Sequence, residues 1–176
     1  YDLSGDPQLL TRVVDRVKDL EAKGWTFEAA DASFELLLLN AISGNPTAKF
    51  TVESWRTIVE QREDGVVVSE ATVKLHADGE RLIATGEGNG PVNALDNALR
   101  SAIVQRFPQL ENLELVDYKV RILDGGAGTG AVTRVLIEST DGRQRWTTVG
   151  VHENVIAASW LALEDAISYG LLHSAG

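Results

Sequence analysis

The chain has 176 residues, 44% of them hydrophobic, enough to bury a real core as one domain of ordinary size or as one domain with a helical extension. A formal net charge of -10, from 26 acidic and 16 basic residues, argues against nucleic acid or an anionic membrane as partner. Cysteine is absent, which removes disulfides and thiolate sites and leaves cytoplasm as the default location.

No apolar run approaches the roughly 20 residues that span a bilayer, and Asp2 and Asp6 stand where a signal peptide would be basic. Methionine is missing even at position 1, so Tyr1 reads as an internal position of something longer. Asp6-Pro7 is an N-cap followed by proline at the first helical position, and Leu10, Val13, Val14, Val17 and Leu20 follow at helical spacing until Gly24. A second helix is predicted from near Phe27 to Ala41. Together residues 1–44 form a helical linker whose apolar faces need a partner. Ser43-Gly44-Asn45-Pro46 is the clearest boundary, with the main domain at 45–176.

Beyond it the pattern turns to strands: Phe50 to Val59 with imperfect alternation, Val66 to Leu75, and Arg81 to Thr85. Glu63-Asp64-Gly65 and Ala77-Asp78-Gly79 are hairpin turns, because a glycine after Asp takes the positive φ such turns demand. Gly86, Gly88 and Gly90 then lead to Pro91, where Val92, Leu95, Ala98, Leu99, Ala102 and Ile103 line one face of a helix. The glycines of this turn either allow close helix–strand packing or leave N–H groups open to an anion at a helix N-terminus; the spacing permits both.

The order then repeats. Leu115 to Leu123, Ala131 to Glu138 and Arg145 to Val151 read as strands, Thr140-Asp141-Gly142 as a hairpin, and a helix runs to about Leu172. Glu53 and Asp117, Ile58 and Ile122, Gly86 and Gly150, Ala94 and Ala158, Ala98 and Ala162, and Ile103 and Ile167 each lie 64 positions apart. The predicted fold is therefore α+β: two βββα repeats, about 48–108 and 112–174, related by a pseudo-twofold axis and preceded by the helical linker. Clefts between such halves are natural ligand sites.

Independent chemistry finds little support. His76, His152 and His173 lack metal-site spacing and read as lone surface or strand histidines. Gly126-Ala127-Gly128-Thr129-Gly130-Ala131 matches a dinucleotide fingerprint in letters, but Val132 to Ile137 continues as a strand where that fingerprint needs a helix. The Gly86–Gly90 turn lacks the Lys-Ser/Thr of a nucleotide P-loop.

Gly88-Asn89-Gly90-Pro91-Val92-Asn93-Ala94, then Leu115-Val116-Asp117-Tyr118-Lys119-Val120 with the glycine loop, then Val149-Gly150-Val151-His152-Glu153-Asn154-Val155-Ile156 with Ala158-Ser159-Trp160 resemble one family. It is the C-terminal regulatory domain shared by 2-isopropylmalate synthases and citramalate synthases. The resemblance covers nearly the whole chain, and Phe27 to Leu37 together with Glu153 to Ile156 is similar to the citramalate synthase branch.

What the resemblance implies is a non-catalytic domain that dimerises and binds an end-product amino acid, isoleucine in citramalate synthases or leucine in isopropylmalate synthases, giving feedback inhibition. The catalytic TIM barrel of the same parent chain would hold a divalent metal and use acetyl-CoA; this domain itself would need no cofactor. The implied effector positions are Gly88, Asn89, Gly90, Pro91, Val92, Leu115, Tyr118, Ile122, Asp124, Thr129, Val151, His152 and Glu153. The effector's carboxylate is expected at a glycine turn, its ammonium on backbone carbonyls or on a carboxylate such as Asp124 or Glu153, and its side chain against Val92, Leu115, Tyr118, Ile122 and Val151. Ile122 is bulkier than the small residue of some leucine-responding relatives, which points to isoleucine. A dimerisation module without an effector site, and a free-standing sensor, are the alternative readings.

Overall fold

The computed structural model describes residues 5–123 and 126–174. The N-terminal helix α1 (Pro7–Ala22) starts as its sequence predicts. The Asp6 carboxylate accepts from the amides of Gln8 at 3.1 Å and Leu9 at 2.9 Å, which relieves two of the unpaired donors of the first turn. The second helix, α2 (Asp31–Ser43), begins four residues later than predicted. Trp25 and Phe27 belong instead to a turn: their rings stack at 6.3 Å, and the Phe27 carbonyl accepts the Ala30 amide at 3.3 Å. Periodicity alone reads Phe27 as helical because it, too, faces a core.

The chain divides into two compact units. One holds the chain up to Thr47 together with Glu114–Tyr169, the other Ala48–Leu113 together with the chain from Gly170 on.

In the first unit, β4 (Glu114–Ile122), β5 (Thr133–Thr140) and β6 (Arg145–His152) form an antiparallel sheet in that order, and the helix α4 (Val155–His173) follows. The helix lies on one face, where the Trp146 indole donates to the Ala166 carbonyl at 3.2 Å and the Thr148 hydroxyl to the Ala162 carbonyl at 2.7 Å. Gly150 is where sheet and helix meet most closely, since a Cβ there would collide with the Ala158 carbonyl. On the opposite face Trp25, Phe27 and Ala30 pack against Val149, Val151 and Leu136. Here part of the linker finds an apolar partner, while Leu10, Val14, Phe34 and Ile42 stay exposed.

Helix α2 also seals the open edge of β6. Its Asp31 carboxylate accepts the Thr147 amide at 3.2 Å and its Ser33 hydroxyl accepts the Val149 amide at 3.0 Å, satisfying alternate donors of an edge strand that would otherwise invite pairing. The Ser33 hydroxyl in turn donates to the Asp165 carboxylate of α4 at 2.6 Å. Leu9 and Val13 of α1 pack on Leu38 of α2.

The second unit pairs β1 (Phe50–Gln61), β2 (Val67–Ala77) and β3 (Glu80–Gly88) antiparallel in chain order, with α3 (Pro91–Arg106) on one face. The imperfect alternation of the first strand has a physical cause: the register skips a residue between Val52 and Ser54, so Glu53 bulges out of the ladder. A similar skip falls between Leu115 and Asp117 in β4. Glu53 is held by Arg81 at 2.7 and 2.8 Å and by His76 at 3.2 Å, so His76 is not a lone histidine. In the β2–β3 turn Asp78 (φ 49°) and Gly79 (φ 81°) both take positive φ, as a two-residue hairpin requires. Beneath α3, Ala71, Val73, Leu75 and Ala84 meet Ala94, Leu95, Ala98, Leu99 and Ile103, all buried.

One expectation is corrected by α4. It is 19 residues long with mean hydropathy 1.4, long and apolar enough by those measures to cross a membrane, where no such run was expected. Half of that stretch is buried inside the protein, with Ala158, Ala162, Leu163 and Ala166 under cover. Core helices pass the same test because they too are apolar around most of their surface.

Candidate functional site

The sequence-derived site positions fall into two groups, one in each unit. In the second unit Gly88, Asn89, Gly90, Pro91 and Val92 form the β3–α3 turn. Gly88 is there for close approach: a Cβ on it would lie 2.5 Å from the Asn93 carboxamide oxygen and 2.6 Å from the Ala94 amide. Gly90 is different, with extended backbone (φ -167°) and open space where a Cβ would sit. It is the N-cap of α3 and offers no side chain to the first turn, while Pro91 brings no N–H. The Asn93 carboxamide bends back to accept the Asn89 amide at 3.2 Å, which ties the turn down. The start of α3 thus presents backbone donors and the positive end of a helix dipole with no side-chain cap, as anion sites do.

Helix α4 begins in the opposite way. Asn154 caps it, its carboxamide accepting the Ile156 amide at 2.9 Å and the Ala157 amide at 3.1 Å. The Asn154 amide donates to His152 Nδ1 at 2.9 Å, so a neutral His152 carries its proton on Nε2, free to donate. Of the two repeated helix starts, that of α3 lacks the side-chain cap that serves the second and third amides of α4.

The first unit sets Leu115, Tyr118 and Ile122 along β4. Pairing places Tyr118 beside Ile137 and Thr148, and Ile122 beside Thr133 and His152, on the face that carries α4. Val151 does not join them. It pairs with Arg134 on the other face and is buried with Ala30 and Val149, so its side chain cannot form one apolar wall with Tyr118 and Ile122. The alternation of strand residues decides this, and the motif wording conceals it. Thr129 sits exposed in a single 3-10 turn, Gly128–Gly130, and the strand β5 follows, as expected for a chain without a dinucleotide fold. Glu153 is exposed; Asp124 lies outside the described residues.

One side chain that is not among the predicted site positions, Ser159, holds this group. Ser159, fully buried, donates its hydroxyl proton to the Val155 carbonyl at 2.7 Å, so the Tyr118 hydroxyl 2.8 Å away must be the donor to Ser159. The Tyr118 ring is thereby fixed against the first turn of α4. Nothing in local sequence links positions 118 and 159, whereas the Asn154 cap, standing just before an apolar helical run, was readable. Beyond Tyr118, the same strand face leaves Val120 45% and Ile122 61% exposed, an apolar strip that α4 does not cover.

Residues 28–171 match the model of one family, described as the LeuA allosteric (dimerisation) domain. Among curated relatives, an (R)-citramalate synthase of Streptomyces coelicolor is 62% identical over 173 residues, covering 98% of this chain and 32% of the relative. Another from Aquifex aeolicus is 48% identical, covering 93% and 31%. A 2-isopropylmalate synthase of Solidesulfovibrio magneticus is 35% identical over 98 residues, covering 56% of this chain and 18% of the relative. The chain spans about a third of the length of the citramalate synthases it matches.

Proposed function

The chain belongs to the LeuA allosteric (dimerisation) domain family, and from that premise we propose that it is the amino-acid-responsive regulatory part of a citramalate synthase. It has no catalytic role of its own. It forms a homodimer and binds isoleucine, and the bound amino acid inhibits a barrel of the same parent chain that condenses acetyl-CoA with pyruvate, using a divalent metal. A cytoplasmic location goes with this reading.

The observation that carries the proposal is the contrast between the two helix starts. The α3 turn, with Gly90 as cap and Pro91 at the first position, leaves donors for the effector's carboxylate, while Asn154 already serves those of α4. The ammonium group needs acceptors, such as backbone carbonyls. In the first unit Tyr118 is locked by Ser159, and Ile122 stands exposed on the same strand face. The exposed Val120 and Ile122 are also the apolar surface that a dimerisation domain has to offer.

Calorimetric titration with isoleucine, leucine and valine, one at a time, tests the reading. Isoleucine is expected to bind saturably and more tightly than leucine. One methylene or its displacement is worth only about 1–3 kcal/mol in such pockets, so a preference of tenfold or more is informative. The reverse preference moves the parent enzyme to leucine synthesis. No binding by a folded dimer leaves a module for assembly alone.

A further inference from the structure

We propose that the open cavity lined by α1, α2, the turn between them and Asp165 of α4 in the first unit is a second small-molecule site, taking an organic anion with an apolar body. The cavity measures about 570 Å³, within the usual range of small-ligand pockets. None of the effector positions discussed above lines it, so the proposal stands apart from the isoleucine reading.

Its chemistry is graded from mouth to floor. Arg12 and Arg16 stand one helical turn apart on α1, both exposed and both lining the opening. Among the described residues neither forms an ion pair or a side-chain hydrogen bond, so two fork-shaped cations face the cavity without serving the fold. Leu20, Trp25, Phe27 and Leu36 make the apolar wall. At the floor lies Asp165, with Ser33 donating to one of its oxygens at 2.6 Å.

The sign of the guest follows from these charges. Burial pushes Asp165 up to about 7, with the Ser33 bond opposing and the charge of neighbouring Glu164 adding to the rise. A carboxyl that resists ionisation repels an anion little and can donate its own proton to it. The mouth supplies two fixed positive charges, in a chain whose overall balance is -10. An anionic group at Arg12 and Arg16 with an apolar body along Trp25 and Leu36 uses every element of the cavity. Purely structural duty accounts for Leu9, Val13 and Leu38, which already pack α1 on α2, and leaves the arginines unexplained.

Three probes with one apolar body and different charge make the test: hexanoate, hexanol and hexylammonium, titrated into the isotope-labelled chain and followed by the Trp25 indole and the α1 and α2 amide signals. Hexanoate is expected to shift these signals saturably and to bind at least tenfold more tightly than hexylammonium. The double variant Arg12→Gln/Arg16→Gln, altering only exposed side chains, should erase that preference and leave the isoleucine titration unchanged. No saturable shift with hexanoate, equal binding of hexylammonium, or a preference that survives the double variant would overturn the proposal. Failure of the isoleucine reading would show separately, as absent isoleucine binding with the hexanoate response intact.

Discussion

Replacing Gly86 by alanine examines the strand–helix contact on which the second unit is built. An added Cβ would lie 2.5 Å from the Ala98 amide nitrogen and 2.7 Å from the Ala94 carbonyl oxygen, against the 3.4 Å at which ordinary contact begins. Both obstacles are backbone, so no side chain can turn aside; α3 must lift from the sheet by about 0.9 Å. A gap of 0.5–1 Å forfeits about a quarter to a half of the dispersion attraction across it, and the loss falls on Ala94, Ala98 and Leu99, which are fully buried. Overpacking of this kind costs about 1–3 kcal/mol, while the restricted unfolded chain returns about 0.4–1 kcal/mol. The expected net loss is about 1–2 kcal/mol. Urea unfolding should show it as a lower midpoint at unchanged slope. Gly90→Ala is the control: its backbone is extended and its Cβ meets nothing within 4 Å, so it should stay within about 0.5 kcal/mol of the parent. Equal stability of Gly86→Ala and Gly90→Ala would refute the argument that Gly86 exists for close packing.

Asp165 gives a pH prediction. With its pKa raised to about 7 in the fold and near 4 when unfolded, the folded state holds a proton across that window that the unfolded state has lost, so this group's contribution to stability falls as pH rises from about 4 to 7 and is level above. Ser33, Glu164, Arg12 and Arg16 are the groups that share its surroundings. Asp165→Asn removes the slope, so its stability relative to the parent should improve between pH 5 and 8 by up to about 3 kcal/mol; a difference constant with pH would sink the assignment. At the other end of the linker, Asp6→Ala deletes the cap of α1 and should cost about 1 kcal/mol, visible as faster amide exchange at Gln8 and Leu9; unchanged exchange would show that the cap is idle.

Much of the architecture was legible from local chemistry. Asp6-Pro7, Asp78-Gly79 and Asp141-Gly142 act within a few residues, so cap and turns could be read directly, and the pairing of Gly86 with Gly150 announced the repeated unit. The second role suggested for the turn glycines separates in the structure: Gly86 and Gly88 serve packing, and only Gly90 leaves a helix start open.

Composition and spacing by themselves determined the α+β class, the order of the elements and the two repeats, because each depends on interactions between residues a few positions apart. Tertiary structure alone decided that α2 seals the edge of β6, that Val151 turns away from Tyr118, and that Ser33 meets Asp165 across 132 positions. Those facts depend on which face of a strand or helix meets which neighbour. A shift of one residue in register or a bulge such as that at Glu53 reverses the facing without altering composition, so only the folded packing could settle them.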